Sequence, residues 1–288
     1  MRMTLGGRRG VVAALAMAAC VGLAGCAQLR DAFNLQTPSA HIAGVKLQDV
    51  GLQAATLLFD VEITNPLAAP LPLANLDYSL ASAGQAFLSG TAALQGTVPA
   101  AGSKTVSIPA KVTYVELLKA LKDVRPGAVV PYLAELGLSV DVPAAGPLRL
   151  PLKKEGQLPV PTAPEVEVRS VDWTNVSLDQ AAGRVVLGIV NRNQFPVDLS
   201  TLRYALSLGG VEVGQASLAK AVSFGAADGA GTVEIPIAFS PKQAGLAVLG
   251  MLTGKGSGYN LKGTMDVTTP FGPMALPIEK VGETIFRR

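Results

Sequence analysis

His41 is the only histidine in the 288 residues, and Cys20 and Cys26 are the only cysteines. A Ser-His-Asp or Cys-His relay needs an imidazole beside its nucleophile; His41 stands near the start of an expected strand and reads as an exposed residue. Zinc needs several Cys and His at ligand spacing, and the chain does not have them. Paired carboxylates can carry acid–base hydrolysis, but Asp60 and Glu62 alternate with Phe59, Val61 and Ile63 and belong to the polar face of a strand. Residues 225–231 are glycine-rich, yet without Lys-Ser or Lys-Thr and a following helix they make no phosphate loop. No catalytic residue, metal site or cofactor site is expected.

The thiol of Cys26 has a more specific setting. Arg2, Arg8 and Arg9 precede an unbroken small and apolar run over 11–24, which leads into Leu23-Ala24-Gly25-Cys26. A basic start, a short apolar stretch and small residues before a cut form the secretory pattern; the run is shorter than the ~20 residues of a membrane-spanning helix. Leu-Ala-Gly-Cys resembles the lipobox of bacterial lipoproteins. That resemblance implies cleavage after Gly25, a diacylglyceryl group on the Cys26 sulfur and acylation of the new amine, so that a lipid bilayer is the partner. Ala27 in place of Asp favours, by the same analogy, an outer membrane with the protein facing the periplasm. The simpler alternative is an ordinary cut near Ala24 that leaves Cys26 a free thiol, a liability in an oxidising compartment. Of the 24 Lys and Arg, Arg2, Arg8 and Arg9 leave with the first 25 residues, which hold no acid, so the rest balances the 21 Asp and Glu. A neutral chain has no bulk attraction for nucleic acid.

The elements that must carry these residues come in two copies. Shifted by 126, residues 42–80 lie over 168–206 without a gap, and the eleven identical positions include Val45/Val171, Ile63/Ile189, Asn65/Asn191, Pro70/Pro196, Leu76/Leu202, Tyr78/Tyr204 and Leu80/Leu206. At offset 127, Thr105-Val106-Ser107-Ile108-Pro109 matches Thr232-Val233-Glu234-Ile235-Pro236; at 126 again, Gly146-Pro147 matches Gly272-Pro273. Collinear anchors over more than a hundred residues mark a tandem duplication.

Each copy alternates like a half-buried strand. Leu57, Phe59, Val61 and Ile63 face one way, with Val185, Leu187 and Ile189 as counterparts, and Leu76-x-Tyr78-x-Leu80 repeats as Leu202-x-Tyr204-x-Leu206. Asn65 and Asn191 end strands, where an Asn side chain bonds backbone two residues on; they are expected to be turn residues and nothing more. One helix per copy is expected. The first has a Thr113-x-x-Glu116 capping box and a stop at Pro126-Gly127; the second starts at Ser240-Pro241-Lys242-Gln243 and stops at Gly254. Trp173, the sole tryptophan, aligns with Leu47 and belongs to the core or to the contact between domains. The expected plan is a signal peptide over 1–25, a tether over 26–39, domains over 40–152 and 166–279 joined by a linker over 153–165, and a tail over 280–288.

Val61-Glu62-Ile63-Thr64-Asn65-Pro66, then Pro70, Leu73, Leu76 and Tyr78-Ser79-Leu80, resembles the type 2 late embryogenesis abundant family, that of the water stress and hypersensitive response domain. The second copy is similar through Asn191, Pro196 and Tyr204, with Arg192 where the family has Pro. The resemblance implies an all-β fold: two tandem immunoglobulin- or fibronectin-like antiparallel sandwiches, each with one short helix, no catalytic residues and no cofactor. It implies a role in desiccation, osmotic or cold stress. Other late embryogenesis abundant groups are hydrophilic and disordered; this chain, 49% hydrophobic and 16% charged with a mean hydropathy of +0.38, must bury a core. The expected function is therefore non-enzymatic protection of envelope proteins or membranes, through weak contacts of a folded surface with client proteins or lipid headgroups. Two alternatives stay open: a carrier of apolar ligands or lipids, using a cavity between the sheets or under the second helix, and an envelope scaffold whose sandwiches hold partners.

Overall fold

A computed structural model describes residues 37–177, 179–242 and 257–284. The first copy builds strands β1 (Ser39–Gln48), β2 (Ala54–Asn65), β3 (Leu71–Ser82), β4 (Gln85–Ala93), β5 (Thr97–Val98) and β6 (Gly102–Thr113), helix α1 (Tyr114–Ala120), and strands β7 (Val129–Val142) and β8 (Gly146–Pro159). The second builds β9 (Glu165–Val176), β10 (Ala181–Asn191), β11 (Val197–Leu208), β12 (Val211–Phe224), β13 (Gly229–Phe239), β14 (Ser257–Thr269) and β15 (Gly272–Thr284). Every ladder is antiparallel.

The two copies share one topology. A three-stranded sheet, β1-β2-β6, faces a sheet of order β4-β3-β7-β8 onto which β5 pairs through β3; in the second copy β9-β10-β13 faces β12-β11-β14-β15. The alternation read from sequence is the packing: Leu57, Phe59, Val61 and Ile63 are buried against Leu76, Leu80 and Leu138, and Val185, Leu187 and Ile189 against Leu202, Leu206 and Met265. Trp173 packs edge-on against Phe239, ring centroids 5.9 Å apart, and so joins the second copy's interior. The hydrophobic-Pro pairs also gain a physical reason. Pro109 and Pro236 lie on β6 and β13, and Pro151 and Pro277 on β8 and β15, all four of them sheet edges. A residue without an N–H blunts an edge against pairing with a further strand.

Four expectations need correction. The linker over 153–165 is strand as far as Pro159, because the 14-residue β7 requires a partner of equal length, and Leu158 and Val160 are buried beside it; only residues 160–164 cross between copies. The tail over 280–288 is likewise strand to Thr284, paired with β14. Helix α1 stops at Ala120: Leu121 turns to φ −108°, ψ 90° and buries its side chain, a turn and a half before Pro126. Its capping box is not formed as expected, since the Thr113 hydroxyl donates to the Glu116 carboxylate (2.7 Å) rather than accepting from a backbone N–H. The second expected helix, from Ser240-Pro241 to Gly254, lies beyond Lys242 outside the described residues, as do the signal peptide, Gly25 and Cys26.

Tyr114, the first residue of α1, is buried with no partner for its hydroxyl, and burial pushes that phenol well above its ordinary range. A buried hydroxyl without a hydrogen bond costs about 1–3 kcal/mol. Tyr114→Phe is therefore expected to stabilise the first copy by about 1 kcal/mol, read as a rise in the midpoint of urea unfolding; a fall would show that the hydroxyl has a partner in solution.

Candidate functional site

The residues with chemical potential are dispersed. His41 on β1 lies across from Glu62 on β2, 3.6 Å away, with its side chain 63% exposed, so it has no nucleophile to serve. Asp60 is occupied by Lys46 (2.8 Å) and the Ser107 hydroxyl (2.6 Å), whose hydrogen bonds hold its carboxyl below the usual range. Among the described residues no three His, Cys, Asp or Glu converge on a metal position. In the second copy the gap lined by Val171, Trp173, Leu208, Tyr259 and their neighbours is about 10 Å³, the space of one water.

The polar residues that do converge sit at the strand ends, where Asn65 and Asn191 are completely buried. Each accepts from the backbone two residues on, Leu67 (3.1 Å) and Asn193 (3.0 Å), the turn geometry expected of Asn. The Asn65 amide also donates to the carbonyls of Ala69 (2.9 Å), Val98 (3.3 Å) and Pro99 (2.9 Å). Asn191 donates to Phe195 (2.8 Å) and Gly225 (2.9 Å). These residues are thus more than turn formers: each latches the end of a three-stranded-sheet strand to the loops leading into the opposite sheet. Pro66 and Pro70 bracket the first such turn, and Pro196 closes the second. The glycine-rich stretch belongs to this latch. Asp228 donates its backbone N–H to the Asn191 carbonyl and Ala227 to that of Asn193 (2.9 and 2.8 Å), and any side chain at Gly229 would collide with the Gly225 backbone.

Tyr78 and Tyr204, matched in sequence, differ in use. The Tyr204 hydroxyl donates to the Pro236 carbonyl across the sandwich (2.7 Å). Tyr78 lies over Gly90, its directly paired neighbour on β4, where a Cβ would meet its ring; the second copy has Ala216 at that place, which keeps the space from Tyr204.

Sequence reasoning missed the contact between the copies. In the second copy the turn after Asn191 reads Arg192-Asn193-Gln194, where the first has Pro66-Leu67-Ala68. Gln194 donates its backbone N–H to the Gly127 carbonyl (2.7 Å) and accepts from Val129 N–H through Oε1 (3.1 Å). Asn193 exchanges two hydrogen bonds with the Thr162 backbone (2.8 and 3.1 Å). Arg192, in place of the family's Pro, pairs with Glu165 and Asp228 and leaves the Asn191 turn intact. The available signal was the departure itself: polar side chains in one repeat where the other has Leu and Ala.

The comparisons with known proteins fall on the same two copies. The family model for late embryogenesis abundant protein, LEA_2, matches residues 60–156 and again 186–282. A desiccation protectant protein Lea14 homolog from Glycine max is 32% identical over 129 residues, 45% of this chain and 85% of its own length. Late embryogenesis abundant protein Lea14-A of Gossypium hirsutum is 29% identical over 133 residues, 46% of this chain and 88% of its own. Desiccation-related protein PCC27-45 of Craterostigma plantagineum is 34% identical over 129 residues, 44% of this chain and 85% of its own. Each alignment thus has the extent of about one copy.

Proposed function

Because the chain belongs to the late embryogenesis abundant protein family described by LEA_2, in tandem copies, we propose that it protects envelope proteins or membranes of a bacterial cell as water is lost, by surface contact and without catalysis. The observation that carries this reading is the double match to a family whose relatives bear the names of desiccation protectants. The chemistry of the described surface agrees with it: strand faces of Ser, Thr and paired charges, and edges interrupted by proline. A protein with its apolar residues folded away acts through that surface, unlike a disordered hydrophilic shield.

The place of action in this proposal follows from the N-terminus. Cys26, after cleavage behind Gly25, carries the acyl chains, and the two sandwiches hang from an outer membrane into the periplasm. One chain alone gives reversible attachment, at about 0.8 kcal/mol per buried methylene, whereas several chains on one residue hold permanently. The client is a neighbouring protein or a lipid headgroup within reach of the tether.

A deletion strain, dried and rehydrated, tests the function. Survival is expected to fall relative to the parent and to return with the wild-type chain; equal survival of deletion and parent refutes protection. Drying a labile enzyme with and without the purified protein separates client protection from membrane protection. Cys26→Ser is expected to move the protein out of the membrane fraction, and an unchanged distribution would refute the tether while leaving the protective reading standing.

A further inference from the structure

Among the described residues, eight strands are sheet edges: β1, β6, β4 and β8 in the first copy, and β9, β13, β12 and β15 in the second. An edge offers a row of unpaired backbone groups to any further strand, and charge or proline on it deters that pairing. Four of the eight carry the prolines described above. Three of the rest carry charge: Lys46 on β1, Glu167 on β9 and Glu212 on β12. Strand β4 carries neither in its 9 residues. Its counterpart β12 is also closed in a second way, since its far end lies over β13, where a Cβ at Gly231 would stand 2.8 Å from the Phe224 ring.

The free length of β4 starts at Leu88. A bulge at Phe87, which is buried, lies before it, and from Leu88 to Ala93 the strand pairs with β3 in unbroken register. Helix α1 packs against β4 but leaves Leu88 and Ala92 part-exposed on the core side, and Ser89, Thr91 and Ala93 exposed. Among the described residues no strand pairs with its outer side. The pattern around Gly90 is complementary to its own reverse. Turned end for end about Gly90, Leu88 meets Ala92 on the core side, large against small, and Ser89 meets Thr91 on the outward side, hydroxyl against hydroxyl. Strand alternation keeps each of these pairs on a single face, and cross-strand pairs of this kind are what stabilises a sheet.

We propose that β4 pairs antiparallel with β4 of a second copy of this chain across a two-fold axis at Gly90, joining the two β4-β3-β7-β8 sheets into one continuous sheet. The ladders on either side of β3 and β7 are already antiparallel. A strand laid antiparallel on its own twin sets residue i against j and j against i, so any charge on it returns close to its like; β4 is the edge that brings none. With a single such edge per chain, the association ends at two and does not grow into a fibre.

The test uses the full chain in non-ionic detergent, its mass resolved from the detergent by light scattering. A dimer is expected at about 0.1 mM, and it is expected to persist at about 1 M salt because no charges hold it. Ser89→Lys with Thr91→Lys sets like charges against each other across the axis and is expected to weaken the dimer about tenfold or more. Both side chains are exposed, so the melting temperature is expected to hold. Ser89→Glu with Thr91→Glu is expected to act in the same way, and an equimolar mixture of the two variants to dimerise again. A wild type that stays monomeric at about 0.1 mM, or a lysine variant that dimerises as the wild type does, overturns the proposal. So does a monomer that captures reduced, permanently unfolded lactalbumin in a way the lysines abolish, because the edge then serves an unfolded client.

Discussion

Asn65→Ala is expected to destabilise the first copy by about 3 kcal/mol, among the largest effects of any single polar substitution in the chain. The side chain is fully buried, and its amide is the donor for the Ala69, Val98 and Pro99 carbonyls while its oxygen holds the Leu67 N–H. Alanine leaves those groups without partners in a place that water reaches poorly, and an unsatisfied buried group costs about 1–3 kcal/mol. The comparison with Asn65→Asp isolates the mechanism. Aspartate makes the same turn, since its oxygen can still accept from Leu67, but it donates nothing and sets a negative charge against three carbonyl oxygens. Thermal and urea unfolding followed by circular dichroism should therefore rank Asn above Ala and Ala above Asp. If Asp is tolerated, the residue is a turn former after all and the latch is not what stabilises this end of the sandwich.

Gly127→Ala should uncouple the two copies. Gly127 has φ +92° and a Cβ there would stand 2.5 Å from the Arg192 carbonyl oxygen. Its own carbonyl and the neighbouring Val129 N–H hold Gln194. A strained backbone costs about 1–3 kcal/mol, and the collision adds to this because the obstacle is backbone of the other copy and cannot rotate away. Gly146→Ala is the control: it shares the positive φ, +84°, but meets nothing within 4 Å, so it pays the backbone strain alone. With Gly127→Ala, calorimetry is expected to resolve two transitions where the wild type is expected to give one, and small-angle scattering a larger radius of gyration. Scattering identical to wild type would show that the copies are held by something other than this turn.

The repeat made most of the fold legible. Residues such as Phe59, Leu76 and Ile189 declare their burial through period-two alternation, which depends only on strand geometry, and the recurrence of Asn65 and Tyr78 as Asn191 and Tyr204 locates the same strand ends twice. The misplaced boundaries have one cause. Lys153-Lys154-Glu155 and Lys280 have the composition of a solvated linker or tail, yet an edge strand with one face in water carries the same composition. Helix α1 ends earlier than its spacing implies: Leu121 and Val124 continue the helical period, but the chain leaves the helix to bury Leu121 and turn into β7.

The shared surfaces were less legible. Asn193 and Gln194 have no motif in common with Gly127 and lie more than sixty residues from it; they meet because residues 160–164 bring the second copy's turn against the loop before β7. The sequence by itself determined that this protein is two β-sandwiches of one pattern, because burial of alternating side chains is decided locally, strand by strand. Which buried Asn ties which loop, how one copy grips the other, and which charges share a face were decided only by tertiary structure, because hydrogen bonds and ion pairs between distant segments depend on positions that the folded chain alone brings within reach.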